Sequence, residues 1–491
     1  MQRPKLAIVG TGISGLSAAY FLQRDFDLTV FEADDRIGGH TNTIHVDLAT
    51  MTRVSRPSSG SVEAGSVSGA NGLSGGIDGG VLPVDTGFIV FNDRTYPNLI
   101  RLFETLGVAS KATEMSFSVR CDKTGIEYSG STLDSYFAQR RNLLRPSFYR
   151  FLFDFRRFAG EAMVMLETDE ESQTVGEFFR RRRYSDAFYR RYFLPMGSAI
   201  WSCPQGVFEA FPIRFICQFY HHHGLLTIRN RPQWRVVRGG SAQYLGRLTS
   251  GFADRIQCGS AVVSARRLEP AAAPVSGRWE LVIQQVGVDG VRQDSVHRFD
   301  HVIFACHADQ ALKILRPTAG ALESMLKSFP YQNNFATLHT DSSVLPVRRR
   351  AWAAWNYHLP RGAGNNPAEE LAEQATVTYN MNRLQGYTDQ QTRRNTFCVT
   401  LNGDPEIDSR KVIAKIPYAH PIFSLGRRAV QQGHDQWIDA DGLSFCGAYW
   451  GNGFHEDGLS SALRVSTKLL GMDPWKAVCT VDGSNTVGSG R

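Results

Sequence analysis

The chain has no apolar run of membrane-spanning length, no C-x-x-C pair and no strong excess of one charge. Each absence excludes something. Without about 20 consecutive apolar residues, no segment reads as a transmembrane helix. Eight cysteines in 491 residues lie scattered, at 121, 203, 217, 258, 306, 398, 446 and 479. They suit reduced thiols in a reducing compartment better than a disulfide framework or a zinc site. His221-His222-His223 is not expected to bind a metal. Adjacent side chains point different ways, and no carboxylate or cysteine is spaced as a further ligand. Met1-Gln2-Arg3-Pro4 and the short run after it are too short for a signal peptide. The expected location is cytoplasmic, with a position peripheral to a membrane as the variant. The net charge of +7 is compatible with anionic membrane surfaces or acidic substrates. It is too weak to imply a nucleic-acid partner.

What is present begins at the first strand. Lys5 to Val9 is apolar, and Gly10, Gly12 and Gly15 follow as G-x-G-x-x-G. Such a turn lets a backbone approach a pyrophosphate seated on the positive N-terminus of a helix, here Ile13 to Arg24 with Ser14 in its first turn. A second apolar run, Leu28 to Phe31, ends at Glu32, where a carboxylate can accept from ribose hydroxyls and would repel a 2′-phosphate. Then come Arg36, Gly38, Gly39, His40 and Thr41.

This run resembles the start of the flavin amine oxidase and phytoene desaturase superfamily, which reads E-x-x-x-R-x-G-G-[RH]-T here. The resemblance implies FAD, an acid on the adenosine ribose, an arginine facing the pyrophosphate and a glycine pair beside the cofactor. His40 replaces the family's more usual second arginine. Further along, Asp85-Thr86-Gly87-Phe88 is similar to the segment that passes the flavin ring. Val262 falls where backbone holds the adenine, and Ala305 and Cys306 end a strand near the cofactor. Leu443 to Ala448 with Gly447, then Phe454-His455-Glu456-Asp457-Gly458, resemble the closing half of the site. There Gly458 would open a helix, Leu459 to Leu470, whose positive end faces the flavin pyrimidine. Asp457 and Glu456 also suit helix caps. Counting back from Gly458 puts His455 at the family's aromatic-cage position, where it could orient a polar substrate or act as a base. Tyr449 and Trp450 are expected in the same cavity, and Tyr379 is expected to face substrate. Tyr418 to Pro421 has no cysteine, so the FAD is expected to be non-covalent.

The rest of the chain is organised around that site. Ala49 to Gly80 is rich in Gly, Ser and Ala and reads as a flexible insertion between Thr43–Leu48 and Val84–Phe91. Pro97–Leu106 reads as a helix, and Phe88–Phe91 and Ile256–Val263 as strands. Ser147–Leu166 is the clearest amphipathic helix, and Val175–Phe193 reads as another. Gln139 to Phe193 carries 12 arginines against 8 acids. That is read as a solvated helix face over an aromatic core, or as a surface meeting anionic lipid headgroups.

The expected fold is α/β: a Rossmann-like, doubly wound FAD domain (1–98, 231–318 and 426–475, with 49–80 inserted) plus an α+β substrate domain (99–230 and 319–425). Residues 476–491 are expected to form a flexible tail. The chain also resembles a subgroup of predicted FAD-dependent oxidoreductases described as amine oxidase-like, whose relatives are associated with cyclopropane fatty-acid synthases. Three functions follow as expectations: hydride transfer from an acyl lipid or other small molecule to FAD, oxidation of an amine, or a non-catalytic FAD-binding partner of a lipid methyltransferase.

Overall fold

The computed structural model describes residues 3–54, 80–122, 124–167, 173–201, 203–226, 231–268, 277–287, 290–359 and 376–479. Most of the expected insertion (55–79) and the tail beyond residue 479 lie outside the described residues.

A five-stranded parallel sheet organises the site. Its order is Ile256–Gln257, Asp27–Phe31, Lys5–Val9, His301–Phe304 and Leu443–Phe445. All but the short edge strand are mostly buried apolar residues, as expected of a parallel sheet covered on both faces. The first strand leads through Gly10–Gly12 into helix Ile13–Leu22. Helix His455–Leu470 packs on it so closely that a Cβ on Gly458 would lie 2.7 Å from Ile13 Cγ2. Residues from both ends of the chain thus meet in one layer.

A seven-stranded sheet faces this unit, in the order Val412–Pro421, Tyr331–His339, Cys398–Leu401, Thr376–Asn380, Trp355–Leu359, Phe117–Cys121 and Ile126–Ser129. Beside it helices Pro146–Leu166, Val175–Arg182, Leu194–Trp201 and Ile213–His222 enclose an aromatic core that includes Phe148, Phe151, Phe158, Phe179, Phe193 and Phe208. A three-stranded antiparallel sheet, Ser260–Arg267, Trp279–Val286 and Arg292–Phe299, covers the third core. Cysteines 121, 203, 217, 258, 306, 398 and 446 are free thiols. No helix among the described residues is long and apolar enough to cross a membrane.

Several elements differ from the sequence reading. The helix expected over Val175–Phe193 stops at Arg182. Arg183 takes a left-handed conformation (φ +52°), and the chain restarts at Ser185, whose N–H donates to buried Asp154 at 3.1 Å. Ser185 Oγ then accepts from Phe188 N–H, a local bond that competes with a continuous helix. The strand expected over Ile256–Val263 is broken at Gly259 (φ +60°), so its halves join different sheets. Of Phe88–Phe91 only Phe91 pairs, together with Asn92. The hairpin before the insertion extends through Thr52–Arg53, which pairs with Val46–Asp47. Helix Pro474–Cys479 continues the ordered chain into the expected tail. Trp475 anchors it, edge-on to Phe21 at 4.9 Å.

Candidate functional site

The phosphate turn separates two kinds of glycine. Gly15 allows helix to lie on strand, since a Cβ there would sit 2.0 Å from the Gly10 carbonyl oxygen. A Cβ on Gly12 would meet nothing within 4 Å. Gly12 is the N-cap of helix Ile13–Leu22. It provides no side-chain cap, and no acid sits in the first turn. Uncapped N–H groups and the helix dipole therefore face open space, which is the cradle a pyrophosphate requires.

Other expected cofactor residues gather around that space. Gly10 N–H donates to the Phe31 carbonyl at 2.8 Å, holding the turn against the strand that ends at Glu32. Glu32 accepts from the Thr11 N–H (3.0 Å), the Thr11 hydroxyl and the Asp34 N–H (3.0 Å). Gly38 (φ +109°) donates to the Thr11 carbonyl, and Gly39 passes close to Gly12. Ala305 and Cys306 abut Gly10 on the other side.

Arg36 is placed differently from its expected role. Its guanidinium donates to the carbonyls of Gly39 (2.9 Å) and Thr41 (3.4 Å), bracing the loop from inside. Gly87 lies against the His40 carbonyl, and Gly447 against the Tyr449 ring, so in both the missing side chain makes room for protein. Val262 is buried in the antiparallel sheet, pairing with Ile283.

The closing segment requires three corrections. The last helix begins at His455 rather than at Leu459. Asp457 accepts from Phe454 N–H at 2.9 Å and starts it, which puts Gly458 inside the first turn against Ile13 and Ser14. Glu456 caps a different helix, Pro97–Thr105, by accepting from the N–H groups of Asn98 and Leu99. Tyr449 and Trp450 are buried in a different core from the one His455 stacks against. They are buried with Phe329, and Trp450 stacks on His434 at 4.0 Å. Gly451 to Gly453 turns the chain between the two places, with Gly453 at φ +90°. Tyr379 is buried in the seven-stranded sheet, edge-on to Trp355 at 4.9 Å.

His455 is buried, stacked on Phe88 at 3.8 Å and bonded through Nε2 to the Thr41 hydroxyl at 2.9 Å. Burial, and then the nearby His40, push its pKa down to about 3. It is a neutral ring that fixes Thr41, which also bonds the Tyr244 hydroxyl at 2.6 Å.

Sequence reading missed a cluster assembled from four distant segments. His40 stacks on Tyr418 at 4.8 Å and lies 5.6 Å from His420 and 5.9 Å from His307, between ring centroids. His307 stacks on Tyr331 at 4.3 Å. Asn402 donates to Asn334 Oδ1 at 2.8 Å, which orients the Asn334 amide to donate to His420 Nδ1 at 2.7 Å. His420 therefore carries its proton on Nε2. Burial first, and then the neighbouring imidazoles, lower His40 and His420 to about 3 and His307 to about 4; Arg36 also lowers His40. The rings are neutral and flank the phosphate turn: His40 follows Gly39, and His307 follows Cys306.

Asp85, from the Asp85-Thr86-Gly87 segment, is a buried hub. It accepts from the Thr43 hydroxyl (2.6 Å), the Ser241 N–H (2.8 Å) and Gln385 Nε2 (3.1 Å). Burial raises its pKa to about 6 despite these donors. Asp85→Ala would strand several buried donors, so we expect a loss of about 3 kcal/mol. A urea unfolding midpoint equal to wild type would refute that role.

The comparisons with known proteins bear on the family and the fold. The family profile described as flavin containing amine oxidoreductase matches residues 13–344. Cyclohexylamine oxidase from Brevibacterium oxydans IH-35A is 14% identical with a TM-score of 0.59, over 95% of this chain and 100% of that one. Wild-type putrescine oxidase bound to putrescine is 14% identical with a TM-score of 0.58, over 96% and 99%. A CLA-producing fatty acid isomerase from P. acnes is 11% identical with a TM-score of 0.58, over 95% and 98%. Identities this low show the fold alone. Protoporphyrinogen oxidase 2 (chloroplastic/mitochondrial) of Arabidopsis thaliana is 51% identical over 41 residues, which span 8% of this chain and 8% of that protein.

Proposed function

The chain belongs to the flavin-containing amine oxidoreductases, and from that premise we propose that this FAD-dependent oxidoreductase acts on an acyl chain rather than on an amine. The observation that carries the proposal is the set of neutral imidazoles, His40, His307 and His420, beside the phosphate turn. An ammonium substrate is held by carboxylates or open aromatic faces. Here Asp85 and Asp457 are each committed to protein donors. Neutral imidazole N–H groups suit a carbonyl or carboxyl oxygen instead.

When bound, the flavin supplies a hydride acceptor, so the protein needs to supply only binding, orientation and a dry pocket. Gly12 and the uncapped helix would hold the pyrophosphate, and Glu32 would hold the adenosine ribose. Asn402 and Asn334 keep His420 in one tautomer, which fixes where its proton points. The aromatic core around Phe151, Phe193 and Phe219 gives an apolar wall, and Phe219 stacks on Phe454 next to His455 at 5.2 Å.

The solved relatives divide on this point. Two are named for amines, and one is named as a fatty acid isomerase. Anaerobic mixing with unsaturated or cyclopropane-bearing acyl lipids is expected to bleach the flavin colour or change the acyl product, while primary amines leave the colour intact. Bleaching by amines alone would overturn the proposal in favour of amine oxidation. A flavin inert to both would leave the non-catalytic role as partner of a lipid methyltransferase.

A further inference from the structure

Helix Pro146–Leu166 is apolar on two opposite sides. Its inner side carries Phe148, Phe151, Phe158 and Ala162, all buried in the aromatic core. Its outer side carries Tyr149, Leu152, Phe153, Met163 and Val164, at helical spacing and all exposed, with Phe153 at 59% and Val164 at 64%. The turn before it adds Leu143 and Leu144, the latter 88% exposed. Tyr149, Leu152 and Phe153 form one cluster and Met163 and Val164 a second, about 15 Å farther along the same side at about 1.5 Å per residue, with Arg156 and Gly160 between them. A surface helix normally turns charge to water on that side. Uncovered apolar clusters repeated along one helix side mark a contact surface.

The charge around the stripe says what it contacts. Between residues 139 and 167 stand six arginines, 140, 141, 145, 150, 156 and 157, and three acids: Asp154, Glu161, which pairs with Arg157 at 3.0 Å, and exposed Glu167 at the far end of the helix. Asp154 is buried, with Arg150 3.4 Å away, so it offers no negative charge to the outside. Arg156 lies on the outer side itself, with no ion pair among the described residues, and Arg145 stands at the helix start. Exposed apolar side chains flanked by arginines match the interface of an anionic bilayer, with rings and aliphatic chains at the acyl boundary and guanidinium groups at the phosphates. A protein partner would require a complementary acidic groove; a bilayer requires only these two features.

We propose that the outer face of helix Pro146–Leu166, with Leu143 and Leu144, docks the protein on anionic lipid bilayers. The surface stands on its own observations and does not depend on which substrate reduces the flavin.

The test uses the full-length, flavin-loaded protein and sedimentation with two vesicle types, phosphatidylcholine alone and phosphatidylcholine mixed with phosphatidylglycerol. Wild type is expected to sediment with the anionic vesicles and to be released by high salt. Leu144→Asp with Phe153→Asp is expected to weaken that binding by about tenfold or more, since two apolar side chains no longer leave water. Both positions are exposed, so flavin content and thermal midpoint should match wild type. Equal sedimentation of variant and wild type, or none by wild type, overturns the proposal. So does a wild-type dimer that the double variant dissociates without any vesicle binding, because the stripe would then serve a second copy of the chain.

Discussion

Gly12→Val is expected to give a soluble, folded and colourless protein, whereas Gly15→Ala is expected to give little folded protein. The two residues are three apart in one turn, yet they do different work. Gly12 has φ −65°, a conformation any residue adopts, and its Cβ would enter empty space. Valine there costs the fold little and fills the volume a pyrophosphate must occupy. Gly15 faces backbone. Its Cβ would fall 2.0 Å from the Gly10 carbonyl oxygen and 3.1 Å from the Ala305 Cβ. Neither the first strand nor the helix can retreat without opening the parallel sheet, so overpacking is expected to reach several kcal/mol, above the usual range of about 1–3 kcal/mol. Far-UV circular dichroism and the visible flavin spectrum distinguish the outcomes. A yellow Gly12→Val protein would remove the open cradle from the cofactor site, and a stable Gly15→Ala protein would contradict the strand–helix contact.

That pair also shows what a sequence can disclose. The glycine spacing, Glu32 and Gly38-Gly39 were legible because each acts through local backbone geometry within one strand–turn–helix unit. The start of the last helix was harder to read. Gly458 looked like its opening residue, but Asp457 bonded to Phe454 N–H starts it earlier, and Gly458 is small because Ile13 and Ser14 press on it. Tyr449 and Trp450 are near His455 in sequence, but the turn through Gly453 sends them into another core. The imidazole cluster could not be read at all. His40, His307, Asn334 and His420 come from four separate segments, and only the seven-stranded sheet facing the phosphate turn unites them. The outer stripe of Pro146–Leu166 was present in the sequence, but a helix with two apolar sides scores as one broad amphipathic helix. Only burial separates the stripe that meets the core from the one that meets something else.

The second large effect is expected in acid: the protein should lose stability steeply between pH 6.5 and 4, before most carboxylates titrate. Six histidines are held neutral mainly by burial, His40, His420 and His455 at about 3 and His223, His307 and His434 at about 4. Each folded pKa lies below the unfolded value, so its contribution is intact above pH 6.5 and is lost as pH falls toward the folded pKa. In that window the unfolded chain binds protons that the fold refuses, at about 1.4 kcal/mol per pH unit for each group. Asp85 and Asp457 act in the opposite sense. Burial raises both to about 6, so the folded state takes up their protons first as pH falls. Lowered His222 adds to the six, while Glu456, raised by burial, and His358, raised against its burial by Glu406 and Asp122, add to the two; seven groups against four still leave a net slope of up to about 4 kcal/mol per pH unit, set against a total of about 5–15 kcal/mol. Urea midpoints at pH 7.5, 6 and 5 should fall progressively. His434→Gln supplies the control: the glutamine amide can still donate to the Phe445 carbonyl, which His434 Nε2 reaches at 2.7 Å, but it cannot titrate. That variant should flatten the slope by about one proton, and a midpoint independent of pH across this range in wild type would mean that the buried rings accept protons without cost.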